Sequence, residues 1–124
     1  MIKAHKIGLI CLIETRVKVH KADKIRDCIV PGWGYEFNYD QHILGRIWVC
    51  WKKADFVVNV LDKSAQSINC VINSLKSNLC WYHSFIYGDN HGVERRLLWV
   101  NLASMRSRVA NNPWMIGGDF NVVK

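Results

Sequence analysis

The hydrophobic period of this chain changes once, near residue 90, and the change limits the folds open to it. Before that point, apolar residues come in runs of strand length: "IGLICLIE" at 7–14, "GRIWVCWKK" at 45–53, "DFVVNVLDKSAQSINCVINS" at 55–74 and "LCWYHSFIYGDN" at 79–90. After it, Val93, Leu97, Leu98, Leu102, Met105 and Val109 recur at the spacing of an amphipathic helix. Asp89 or Asn90 is placed to cap that helix, and Glu94 lies in its first turn, where the helix dipole favours an acid. Asn111-Asn112-Pro113 ends it, and "WMIGGDFNVV" reads as a last strand and its exit.

The first run is continuously apolar, the pattern of a strand buried on both faces, with Glu14 at its carboxyl end. "RVKVHKADKIR" at 16–26 has room for a short helix, and Pro31, Gly32 and Gly34 punctuate an extended segment after it. Residues 55–74 read as two strands joined at Asp62–Ser64, an antiparallel hairpin. Neither a repeat nor a domain boundary interrupts residues 1–124. Strand, basic segment, antiparallel strands, helix and strand predict a single mixed α/β (α+β) layered domain whose sheet is not purely parallel.

With half its residues hydrophobic and 22% charged, the chain has the profile of a globular domain. Its net charge of +7 points to an anionic partner such as nucleic acid. Arg16, Lys18, Lys21, Lys24 and Arg26 crowd one stretch against the single acid Asp23, which also suits a solvated face. The five cysteines form no C-x-x-C pair and mostly sit in apolar runs, so they read as reduced core residues of an intracellular, nuclear or cytoplasmic protein. A zinc site would need closely spaced Cys/His pairs, and the five histidines are scattered, which disfavours that reading. No apolar run has the length of a membrane span, and the first 16 residues lack a signal-peptide cleavage site.

Three places carry residues suited to chemistry. Asp119 and Asn121 lie two apart in extended chain, so they project to one side while Phe120 faces the core. A carboxylate can orient and deprotonate a water while a neighbouring amide holds a phosphate oxygen. The same D-x-N also reads as a plain turn. Glu14 closes an apolar strand and suits Mg²⁺, which takes oxygen ligands and keeps several waters; an ion pair with Arg16 or a lysine is the other reading. Tyr87 ends the strand "HSFIY" with a phenol able to donate to phosphate, or simply a core ring with a wet tip. His83 and Ser84 are adjacent and diverge in a strand, so they do not build a nucleophile triad, and no glycine-rich phosphate loop is present.

Taken in order, "LICLIETRVK", "GRIWVCW", "SFIYGDN", "ERRLLWVNL" and "PWMIGGDFNVV" resemble the endonuclease/exonuclease/phosphatase superfamily, which includes deoxyribonuclease I. The likeness is greatest to the endonuclease domains of plant LINE-type non-LTR retrotransposons, and it covers nearly the whole chain. It implies a deoxyribonuclease I-like four-layer α/β sandwich and a Mg²⁺-dependent phosphodiesterase that nicks DNA. By resemblance, Glu14 is the metal-binding glutamate, Tyr87 the phosphate-binding tyrosine, Asp119 the water-orienting aspartate and Asn121 the phosphate-contacting amide. Arg16, Lys18 and Lys21 would then contact the DNA backbone beside the site.

The family's asparagine motif before the glutamate, and its later aspartate–histidine pair, have no counterpart in residues 1–124. The resemblance therefore implies a domain truncated at both ends, weakly active or inactive alone, with a downstream reverse transcriptase as a partner in a longer polyprotein. Two other readings remain: a non-catalytic basic nucleic-acid-binding remnant, and part of a phosphatase of the same superfamily.

Overall fold

A computed structural model of the chain describes residues 8–43, 45–89 and 91–120. Asn121 lies outside them, and with it one of the expected site residues. Sheet A is formed by β1 (Leu9–Ile13), β2 (Gly34–Phe37) and β3 (Ile47–Trp51) in the order β1-β3-β2, all antiparallel. Sheet B contains β4 (Phe56–Lys63), β5 (Ser67–Ser74), β6 (Cys80–Tyr87) and β7 (Trp114–Asp119) in chain order. Helix α1 (Val19–Ile29) links β1 to β2, and α2 (Gly92–Val109) links β6 to β7. The α2 crossover is what allows β7 to run parallel to β6, while β4, β5 and β6 pair antiparallel.

Alternation along the strands sorts the side chains into layers. Ile47 and Val49 of β3 meet Ile68, Cys70 and Ile72 of β5 and Phe85 of β6 in the core between the sheets. Cys50 points the other way and packs with Val30 and Trp33 after α1. Ile86 of β6 likewise turns outward, against Leu98 and Leu102 of α2. The order of layers is therefore α1, sheet A, sheet B, α2, a partial four-layer sandwich with a mixed sheet, as the pattern of runs and the resemblance both lead one to expect.

Five local expectations change. The hairpin turns at 64–66 rather than at Asp62–Ser64, because Asp62 and Lys63 still pair with Asn69 and Ile68 in the ladder. β1 is half-buried along its whole length rather than sealed on both faces, because among the described residues it is an edge strand with β3 as its single ladder partner. The α2 core face is Leu98, Leu102, Met105 and Val109, whereas Val93 and Leu97 are 69% and 62% exposed and lie off that face. The N-cap of α2 is His91, and Asp89 acts just upstream by accepting the His91 N–H at 2.9 Å. Asn90 lies outside the described residues. Of the cysteines, Cys50 and Cys70 are core and Cys11 is half-buried, but Cys28 and Cys80 are exposed. Burial pushes the Cys11 and Cys70 thiols up to about 12 and Cys50 up to about 11, so all three remain protonated and pack as small apolar groups. Among the described residues, no helix is long and apolar enough to cross a membrane.

Candidate active site

The site lies where strands of both sheets end. On the sheet B side, the parallel register places Tyr87 beside Asp119, and paired residues share a face of the sheet. Phe120 turns to the other face, packs on the Ile86–Leu98–Leu102 cluster and stacks on Trp99 at 5.7 Å. This arrangement depends on close backbone approach. Gly88 N–H donates to Asp119 O at 2.6 Å, and a side chain at Gly88 would collide with the Phe120 carbonyl. Gly118 has φ +135° and would drive a Cβ into the Ile86 carbonyl. The two glycines of "GGDF" thus differ in role, since a Cβ at Gly117 meets open space.

On the sheet A side, antiparallel pairing sets Ile13 opposite Ile47, and the Glu14 N–H donates to Arg46 O at 2.8 Å. The chain then leaves the ladder sharply, with Glu14 at φ 53° and Arg16 at φ 55°, a left-handed geometry few non-glycine residues adopt. The turn points Arg16 back at Glu14, whose Oε1 accepts from Arg16 Nη2 at 2.8 Å. This bond holds the Glu14 carboxyl below its usual range; the Tyr87 hydroxyl and the Arg46 charge act in the same direction and more weakly. Glu14 and Tyr87, from different sheets, are therefore within interaction range. The Glu14–Arg16 ion pair that the residue pattern offered as the simpler reading is present, and it leaves the carboxylate anionic.

A second set of residues, of which the sequence singled out only Asp89, and that as a helix cap, joins the two sides. Arg46 Nη1 is 3.1 Å from Asp89 Oδ2, and its guanidinium carbon is 5.5 Å from the centre of the Tyr87 ring. The Asp89 carboxyl is lowered first by the His91 N–H and then by Arg46. Gln66, only 5% exposed, accepts from the Asp89 N–H at 2.7 Å, donates to Glu94 O at 2.7 Å and accepts the Tyr87 N–H on its own carbonyl at 2.9 Å. His42, lowered by burial and by Arg46, also lies close to this cluster. The only sequence signal for Arg46 is its place one residue before an apolar strand, and that means little until the register sets it opposite Glu14.

Behind the strand ends, a cavity of about 290 Å³ opens between the sheets, lined by Cys11, Ile13, His83, Phe85, Gly117 and Gly118. His83 stacks on Phe85 at 4.1 Å, and its Nδ1 accepts from Trp81 Nε1 at 3.1 Å. Burial lowers it to about 4, so it is neutral at physiological pH. Ser84 faces the opposite layer and accepts from Trp114 Nε1 at 2.9 Å. The two side chains diverge as expected.

The basic stretch divides. Arg16 joins the site, and Lys18 and Lys21 are exposed at the start of α1. Arg26 instead is buried, paired with Asp23 and Asp27 and stacked 3.9 Å from the Tyr35 ring. Among the described residues, no group of three or more His, Cys, Asp or Glu side chains is gathered to hold a metal ion.

No protein-family model and no curated protein matches this chain. Among solved structures, the human Nocturnin catalytic domain with bound sulfate anion superposes with a TM-score of 0.63 at 18% identity. The match covers 96% of this chain and 53% of that one, so the chain spans about half of the similar domain. At that identity the likeness is one of fold, a mixed α/β sandwich of the deoxyribonuclease I-like type.

Proposed function

We propose that the chain is part of a Mg²⁺-dependent phosphodiesterase that nicks DNA, of the kind found at the front of plant LINE-type retrotransposon polyproteins. Convergence carries this reading: Glu14, Tyr87 and Asp119, chosen from separate motifs, come to the same strand ends of a nuclease/phosphatase-type fold. The similar solved domain holds a sulfate anion, which has the tetrahedral shape and charge of a phosphate group.

The donor set fits a hard divalent cation. Glu14 is an anionic, half-exposed carboxylate at the mouth of the site, and Mg²⁺ characteristically takes one or two carboxylates and fills its remaining positions with water and phosphate oxygen. A bound Mg²⁺ would neutralise phosphate charge there. Glu14 would hold it, displacing Arg16. Tyr87 would donate to a non-bridging phosphate oxygen, and Asp119 would orient and take a proton from the attacking water. Asn121 keeps its proposed role as phosphate contact. Lys18 and Lys21 supply backbone contacts that weaken with salt.

The test is nicking of supercoiled plasmid by stoichiometric protein with and without Mg²⁺. Slow, Mg²⁺-dependent nicking is expected, falling roughly 10²-fold or more in Glu14→Gln and in Asp119→Asn. Nicking that survives both substitutions overturns the assignment of the site. An intact plasmid after prolonged incubation overturns catalysis by this chain. It leaves the non-catalytic reading, for which salt-sensitive DNA binding lost in the Lys18→Glu, Lys21→Glu double variant is the criterion. Faster turnover of a lipid phosphate than of DNA would instead favour the phosphatase branch.

A further inference from the structure

Glu14 directly follows β1 of sheet A, while Tyr87 and Asp119 belong to sheet B, and among the described residues no strand ladder joins the two sheets. Backbone hydrogen bonds place each half of the site internally, and the 52–56 turn ties the sheets at the far end of β3, but beside the site the two halves meet through side chains. We propose that Arg46 is the positioning residue that joins the halves, holding the Tyr87 ring from one side and the Glu14 turn from the other. The consequence for catalysis rests on the phosphodiesterase reading; the geometry does not.

On its backbone side, Arg46 belongs to sheet A. Its carbonyl receives the Glu14 N–H at 2.8 Å, and the preceding Gly45 carbonyl receives the Thr15 hydroxyl at 3.4 Å, so the 45–46 segment carries the turn that presents Glu14. Gly45 lies at φ +52°, and a Cβ there would enter the Tyr39 ring, so the backbone of this segment packs directly against that ring. The side chain reaches sheet B. It pairs with Asp89 at 3.1 Å and lies 5.5 Å from the centre of the Tyr87 ring, within the range of a cation–π contact.

Asp89 is a firm anchor for this reach, because both it and Tyr87 are bonded to the same buried residue. Gln66 takes the Asp89 N–H on its side chain and the Tyr87 N–H on its backbone, and its amide N–H₂ donates to the first turn of α2. The path from Glu14 to α2 is thus continuous: Glu14 backbone, Arg46, Asp89, Gln66, Glu94 carbonyl. A guanidinium suits the middle of such a path better than an ammonium. Its planar fork binds a carboxylate directionally while presenting a flat face to a ring.

The test reads ring position directly. The protein contains four tyrosines, so uniform 3-fluorotyrosine labelling gives four ¹⁹F resonances, with Tyr87 assigned from Tyr87→Phe. In Arg46→Gln and in Asp89→Asn, the Tyr87 resonance is expected to shift or broaden while those of Tyr35 and Tyr82 stay in place. Arg46→Lys is expected to give an intermediate change, and Arg108→Gln, which breaks an exposed pair with Asp62, none. A Tyr87 resonance unmoved in folded Arg46→Gln overturns the proposal. So does simultaneous movement of all four resonances in both Arg46→Gln and Arg46→Lys, which would make Arg46 a general structural residue. Where the wild-type chain nicks DNA, Arg46→Gln is expected to lower kcat about tenfold with KM little changed. An unaltered kcat overturns the positioning role. If the wild type nicks nothing, the phosphodiesterase reading fails alone, and the resonances still decide whether Arg46 places Tyr87.

Discussion

The two sides of the site are held in different ways. Tyr87 and Asp119 are set by a parallel ladder and by glycines that let backbones meet; Glu14 is set by a tight left-handed turn and an exposed ion pair. The shorter of the two ion pairs is the weaker tie. Arg16 and Glu14 approach to 2.8 Å with side chains 79% and 47% exposed, whereas Arg46 and Asp89 stand 3.1 Å apart at 21% and 17%. Water and salt screen the first pair far more than the second, so shelter outweighs a few tenths of an ångström. One half of the site is fixed by close backbone contact, and the other rests on an ion pair that water and salt screen.

The contrast is most sharply broken at Gly118. Gly118→Ala should destabilise the protein by at least about 3 kcal/mol in urea denaturation, because the added Cβ meets the Ile86 carbonyl at a φ that L-residues avoid. Gly117→Ala, one residue earlier, should cost about 1 kcal/mol or less. Equal losses at the two positions would mean that the close approach of β6 and β7 does not set the sheet B side.

A smaller effect is expected from protonating His83. Its folded value of about 4 lies below the ordinary 6.5, so the unfolded chain binds the proton more readily. Stability is then fully present above about pH 6.5, declines as pH falls through the unfolded value, and levels off below about pH 4. The loss should be about 1–2 kcal/mol, allowing for partial solvent access, and should shrink in His83→Gln when denaturation is compared at pH 7 and pH 4.5.

Third comes the sheltered pair. Asp89→Asn should cost about 1 kcal/mol, since Arg46 loses its partner without being sealed from water. Last is Arg16→Gln, which should leave the denaturation midpoint unchanged while strengthening Mn²⁺ binding measured by electron paramagnetic resonance. A clear stability loss for Arg16→Gln, or none for Asp89→Asn, would reverse the ranking of the two pairs.

The sequence made much of the site's chemistry legible and little of its assembly. Short apolar runs followed by a helical period are enough to identify a mixed layered fold, since periods of 2.0 and 3.6 each bury one face in one way. Glu14, Tyr87 and Asp119 stand out because each is a polar group ending an apolar strand, an arrangement that the local chain alone defines. That Phe120 would anchor while Asp119 faced the other way follows from the same alternation.

Other features were invisible for a physical reason. The half-burial of β1 depends on which strands lie beside it, and so does the opposition of Arg46 to Glu14. Register across residues 13 and 47 is a long-range property that no local pattern encodes. Gln66 and Asp89 look like ordinary turn residues until folding brings the ends of β5 and β6 to the start of α2. The sequence by itself therefore determined which side chains this protein has available for chemistry, and on which kind of element each sits. The tertiary structure alone decided which of them meet. The two halves come from separate ladders, and at the site it is side chains such as Arg46 that cross between them.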